Sequence, residues 1–215
     1  MVYWGLMAGR KTLMLSTAAA ALLVFGSVSF SRALRTPAPI AIGGRGFPTI
    51  GETSAPVEII LIEDFQCRNC RTFSQKIIPR IQSEYVRPGR ARFVLVPVSF
   101  LAGSQVIANA ALEVYKQNPE RFFAYLKEIL NHKREVGKKD LIALARKVGG
   151  IDPIKLQYCI EKGCHNQELE KNLSWAQGVM GGQFRTPALY INGAPGSTFS
   201  FEAIQYQIDQ ILGKQ

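Results

Sequence analysis

Four cysteines in 215 residues carry the most specific chemistry in the chain, and they fall into two pairs, Cys67/Cys70 and Cys159/Cys164. The first pair is a Cys-x-x-Cys. It follows residues 56–64, Pro-Val-Glu-Ile-Ile-Leu-Ile-Glu-Asp, which are apolar enough for a buried strand, and it opens residues 71–78, which read as a helix. At such a junction the first sulfur lies beside the N–H groups that a helix leaves unpaired in its first turn. Those groups and the helix dipole stabilise a thiolate, lower the thiol pKa and make Cys67 a nucleophile. Cys70, one turn into the helix, is expected to be less exposed and closer to an ordinary thiol. Competing readings of this pair are a zinc half-site and an incidental surface disulfide. Zinc would need two more ligands, and Cys159, Cys164 and His165 could be offered. They lie about ninety residues away in a different block, without a second tight knuckle, so no metal site is expected.

The second pair is spaced i and i+5, and such side chains do not meet on a regular helix. Gly163 can end the helix and bring Cys164 back toward Cys159. Outside the cytoplasm a structural disulfide is the expected result, with a second redox couple as the sharper alternative.

An extracytoplasmic setting is itself an expectation from the sequence. Arg10-Lys11 precede residues 12–30, which hold no charge, and Arg32 follows. Cations ahead of an apolar run are the pattern of an exported chain, as a signal peptide or as an N-terminal membrane anchor. The protein is therefore expected in the periplasm, soluble after signal cleavage or tethered to the inner membrane by residues 12–30. Apolar residues make up 47% and charged residues 20%, as in an ordinary globular protein. The net charge of +10 owes four cations to the first 35 residues, which hold no acid. The remainder reads as a solvated basic surface without interleaved aromatics, so nucleic-acid binding is not expected.

These cysteines must be positioned by the rest of the chain. Residues 1–35 read as signal peptide or anchor, and the Pro- and Gly-rich residues 36–55 as a linker and lead-in loop. After the first strand a helix runs to about Val86, kinked by Pro79. A second strand spans Ala91 to Phe100, with Pro97 at its end or at an edge position. Helical periodicity then takes over for about eighty residues. Val106, Ile107, Ala110, Ala111 and Val114 share one face, and Phe122, Leu126, Ile129 and Leu130 another. Asp152-Pro153 is a helix start, and Gly181-Gly182 end the block. Ala188 to Ile191 is a short strand, Asn192-Gly193 a hairpin turn, and Thr198-Phe199 the expected returning strand. A last helix begins at Ser200, with Ile204, Ile208, Ile211 and Leu212 on one face.

Strand, helix, strand, helical block, strand, strand, helix is the order of an α/β thioredoxin-like fold with an inserted α-helical domain. Its parts are residues 56–101 and 184–215 for the core and 102–183 for the insertion. The sequence resembles the DsbA-like thiol-disulfide oxidoreductases. The residues that carry the resemblance are Gly51, Ala55-Pro56-Val57, Asp64-Phe65-Gln66-Cys67-x-x-Cys70, Pro79, Arg92-Phe93-Val94 and residues 186–193, Thr-Pro-Ala-Leu-Tyr-Ile-Asn-Gly.

The resemblance implies that Cys67 and Cys70 are catalytic and need no cofactor. It implies that Pro187 is cis and faces them, and that Thr186 tunes substrate release. Arg68 adds a cation that favours the thiolate. Asn69 stands where strongly oxidising members have histidine, and Leu61 where the family often has a buried acid. Glu63, on the same side of the strand by alternation, is the candidate proton relay. Together with Thr186 in place of valine, these departures imply a weakly oxidising protein thiol-disulfide oxidoreductase. The implied partners are unfolded or reduced exported proteins, with a DsbB-like membrane oxidase as reoxidant, and the implied state is a monomer. A disulfide reductase or isomerase is the nearest rival, and a non-catalytic chaperone or metal-binding protein on the same fold the more distant one.

Overall fold

The computed structural model describes residues 46–132 and 135–213. The expected signal or anchor segment lies outside the described residues. No helix among the described residues is long and apolar enough to cross a membrane.

The strand that leads to the Cys-x-x-Cys, β2 (Val57–Asp64), follows β1 (Thr49–Ile50) and lies in the middle of the sheet. Its apolar run is continuous because both of its faces are covered. Val57, Ile59 and Leu61 enter one core, and Ile60 and Ile62 enter another. Parallel to it runs β3 (Ala91–Val98), in register from Val57 with Ala91 to Asp64 with Val98. On its other side β4 (Ala188–Ile191) pairs antiparallel, Ile62 with Ala188 and Ile59 with Ile191. The sheet order is β1-β3-β2-β4-β5, where β5 is Ala194–Gly196.

The expected helix after Cys67 forms in three pieces: α1 (Arg68–Lys76), α2 (Ile78–Ile81) and a π-helical turn, Gln82–Val86. The break falls at Ile77, two residues before Pro79, whose ring nitrogen has no hydrogen to continue the ladder. Pro97 lies inside β3, and the strand stops at Val98 before Phe100. The edge strand β1 reaches only Phe93 and Val94. Beyond it β3 has a free edge, where a residue without N–H leaves no gap in the ladder. There the Pro97 carbonyl accepts the Asn172 side-chain amide at 3.1 Å.

The helical insertion covers both faces of the sheet. The helices α3 (Ser104–Gln117), α4 (Phe122–Asn131), α5 (Lys138–Val148) and α6 (Pro153–Lys162) share the first core with α1 and α2. Asp152 caps α6 as expected, accepting from the N–H groups of Ile154 and Lys155. The long α7 (Asn166–Met180) begins in that core with Leu169 and ends on the opposite face, where Ala176 packs with Ile60, Ile62 and Val96.

The last strand differs from expectation. It begins directly after the two-residue turn, where Asn192 and Gly193 both have positive φ, and not at Thr198-Phe199. A short edge strand tolerates Pro195, and Phe199 is left 89% exposed. The final helix α8 (Phe201–Ile211) is capped by the Ser200 hydroxyl and buries Ile204 and Ile208. Ile211, expected on the same face, is exposed.

Asp64 ties the reactive end of β2 to the start of the insertion. It is fully buried; Oδ1 accepts the Gln66 N–H at 2.8 Å, and Oδ2 accepts those of Phe100 and Leu101 at 2.9 and 3.1 Å. Asp64→Ala strands three amide donors, and a loss of about 2–4 kcal/mol is expected in urea unfolding.

Candidate active site

Cys67 is the last extended residue before α1, with φ −68° and ψ 121°. Its N–H bonds the Asp64 carbonyl at 2.9 Å, closing the turn out of β2, and its own carbonyl accepts the Arg71 N–H at 3.0 Å. No side chain caps this helix and no acid lies in its first turn, so the positive end of the helix is left to the Cys67 sulfur. That sulfur is half-buried and donates to the Thr186 carbonyl at 3.5 Å, across 119 residues of sequence. The Thr186–Pro187 bond is cis. Thr186 and Pro187 reach this point because β4 starts at Ala188, paired with Ile62 of β2.

Cys70 lies in a different environment from Cys67. It is fully buried. Burial pushes its thiol pKa strongly upward and the Glu63 carboxyl pushes it further, against smaller opposing effects of the Thr186 side chain and the Asp64 backbone. Both cysteines are free thiols. The pair therefore consists of one reachable sulfur and one sequestered, proton-holding sulfur.

Glu63 is also fully buried, and burial raises its pKa from 4.5 to about 8; the neighbouring Asp64 adds to the rise and a hydrogen bond from Ser74 opposes it. The Ser74 hydroxyl donates to Glu63 Oε2 at 2.6 Å, while Oε1 has no partner. Ser74 was not among the sequence candidates, yet a signal for it exists. It lies four residues after Cys70, on the same helix face, which is the face that looks toward Glu63.

Arg68 and Asn69 are exposed on the first turn of α1. Asn69 joins Phe73, Lys76, Ile77, Pro187 and Phe199 around a cavity of about 200 Å³ beside the reactive pair. Sequence reasoning placed Phe199 in a strand and so missed it here. On the other side Phe100 packs edge-on against Phe184, with ring centres 5.1 Å apart.

The second cysteine pair is bonded. Gly163 adopts φ +65° at the end of α6, which returns Cys164 to within 4.9 Å of Cys159 between Cα atoms. His165 is largely buried; its Nε2 lies 2.9 Å from Glu113 Oε2, and its backbone N–H bonds the Asn109 side chain. The Cys159 sulfur lies close to this His–Glu pair but is held in the disulfide, and neither Cys67 nor Cys70 belongs to that group. His132 lies 4.0 Å from Asp140.

A family model described as thioredoxin matches residues 45–210. Disulfide bond formation protein D of Bacillus subtilis (strain 168) is 27% identical over 175 residues, 78% of each chain. The crystal structure of Chlamydia trachomatis DsbA superposes with a TM-score of 0.75 at 32% identity, covering 81% of this chain and 95% of that one. Oxidised BdbD from Bacillus subtilis superposes with a TM-score of 0.73 at 25% identity, covering 83% and 97%.

The raised pKa of Glu63 has a consequence for stability. Between about 4.5 and about 8 the folded protein holds a proton that the unfolded chain has lost. The Glu63 contribution is thus fully present below the lower value and falls as pH rises through the window, by at most roughly 1.4 kcal/mol per pH unit. Glu63→Gln removes this ionisation. Urea unfolding at several pH values is expected to show a flatter decline for the variant and a variant more stable than the parent at the alkaline end.

Proposed function

The chain belongs to the DsbA-like thiol-disulfide oxidoreductases of the thioredoxin superfamily, and from that premise we propose that Cys67 and Cys70 are its catalytic pair. The observation that carries this reading is their asymmetry: a half-buried Cys67 facing Thr186 and Pro187, and a fully buried Cys70 beside Glu63. In the oxidised enzyme a substrate thiolate attacks the Cys67 sulfur. A bond forms between substrate and Cys67, and the Cys67–Cys70 bond breaks. Cys70 leaves as a thiolate in an apolar site, where a protonated Glu63 supplies its proton. A second substrate thiolate then attacks the substrate sulfur, the substrate disulfide forms, and Cys67 departs as a thiolate. Two electrons have passed to the enzyme. A DsbB-like membrane oxidase removes them and restores the disulfide.

Substrates in this reading are unfolded or reduced exported proteins, met in the periplasm by a monomer that residues 12–30 either deliver or tether. Thr186 and Pro187 hold the substrate segment, and Asn69, Lys76 and Phe199 border the space beside it. Cys159–Cys164 fastens the corner between α6 and α7 as a structural disulfide. The role of Arg68 and Asn69 is to set the potential. An exposed Arg68 favours the Cys67 thiolate, whereas Asn69 supplies no charge. The enzyme is accordingly a weak oxidant.

Equilibration of Cys67/Cys70 with glutathione is expected to give a potential between about −120 mV and about −270 mV, the range from strong oxidant to reductant. Asn69→His is expected to move it toward the oxidising end. A potential at the oxidising limit in the parent protein overturns the weak-oxidant reading. Cys67→Ser is expected to abolish both refolding of a reduced substrate and insulin reduction; retention of both identifies a non-catalytic binder instead.

A further inference from the structure

The two oxygens of Glu63 are not equivalent. Oε2 accepts the Ser74 hydroxyl, and Oε1 is buried without a partner. Ser74 is itself only 6% exposed, yet it lines a cavity of about 90 Å³ between α1, α2 and α4. Phe123, Leu126 and Leu130 wall that cavity, and Gln75, Gln82 and Lys127 give it polar edges. A space of this size with polar edges is large enough to admit water.

We propose that Ser74 is the exit of a two-sided proton route: Glu63 takes the Cys70 proton on Oε1 and passes it outward through the Ser74 hydroxyl to water in this cavity. The inference rests on Glu63 as the proton partner of Cys70. When the reduced enzyme reduces a disulfide and Cys70 resolves, the Cys70 S–H bond breaks and an O–H bond forms at Oε1, the oxygen without a partner. The carboxyl then turns by half a revolution about its terminal bond, a soft, two-fold torsion. Only the single hydrogen bond to Ser74 is interrupted, because Oε1 has none to lose. The new O–H now points at Ser74 Oγ. Ser74 accepts this hydrogen while its own passes to a cavity water, and Glu63 is a carboxylate again. When the oxidised enzyme oxidises a substrate and Cys70 leaves as a thiolate, the same steps run in reverse and reprotonate it.

Among the described residues, these charged and titratable groups face Glu63 or the cavity beside it. Asp64 precedes the turn on the same strand, Cys67 caps α1 and Cys70 lies within it, and Lys127 of α4 stands at the cavity edge. From β3, Pro97 lies opposite Glu63 and brings no charge. Ser74 is therefore a positioning and relay residue that acts through Glu63 and does not touch substrate.

The test is the pH profile of single-turnover resolution by Cys70, measured for the parent, Ser74→Ala, Ser74→Thr and Glu63→Gln. Ser74→Ala removes a donor from the carboxylate form. It is expected to shift the controlling ionisation upward by about one pH unit and to slow resolution near neutrality roughly tenfold. Ser74→Thr, which keeps the hydroxyl, is expected to restore both. A Ser74→Ala profile that overlays the parent, while Glu63→Gln loses the ionisation, overturns the Ser74 route and leaves Glu63 in place. If Glu63→Gln also overlays the parent, the underlying reading of Glu63 fails, and the route with it.

Discussion

Alternation at the end of one central strand is the constraint from which the site follows. Glu63 and Asp64 are adjacent, fully buried and directed to opposite faces. Asp64 receives three backbone N–H donors and so fixes the turn that presents Cys67 and the loop that starts the helical insertion. Glu63 receives one hydroxyl and is left with an unpartnered oxygen. The first carboxyl is spent on geometry, and the second remains available for proton chemistry at Cys70. A well-satisfied Glu63 would hold its charge at neutral pH; burial with a single donor puts its ionisation near 8.

The two halves of the site meet only because the sheet is closed by a distant segment. The antiparallel pairing of Ile62 with Ala188 puts Thr186 and Pro187 opposite the exit of β2. The long insertion is tied to the same point from its near end through Phe100 and Leu101 on Asp64, and from its far end through Asn172 on the Pro97 carbonyl. Arg71 and Gln75 of α1 add a third link by donating to the Leu130 carbonyl at the end of α4. The insertion therefore braces the reactive helix as well as walling the cavity behind it.

Much of this was legible from the sequence, and the exceptions share a cause. Cys67, Cys70 and Asp152 announce themselves by residue type and spacing, Pro187 and Glu63 only through the family resemblance, and the strand β2 by its unbroken apolar run. Edges decide where proline and glycine fit. Pro97 fits inside β3 because β1 is too short to pair there, and Pro195 and Gly196 form the edge strand that Thr198-Phe199 were expected to form. The pairing of His165 with Glu113 spans 52 residues and leaves no mark in the local sequence. Ser74 and the groove residue Phe199 depend on tertiary contacts, although the i, i+4 relation of Ser74 to Cys70 pointed to the former.

One cysteine of the pair is reachable, and the other is a sequestered, protonated thiol. Pulsed alkylation of the fully reduced protein near neutral pH, read by mass spectrometry of the peptide that carries both residues, tests it directly. The expected product is a single modification at Cys67, with Cys70 modified only after unfolding. Equal labelling of the two, or labelling of Cys70 first, would contradict the account.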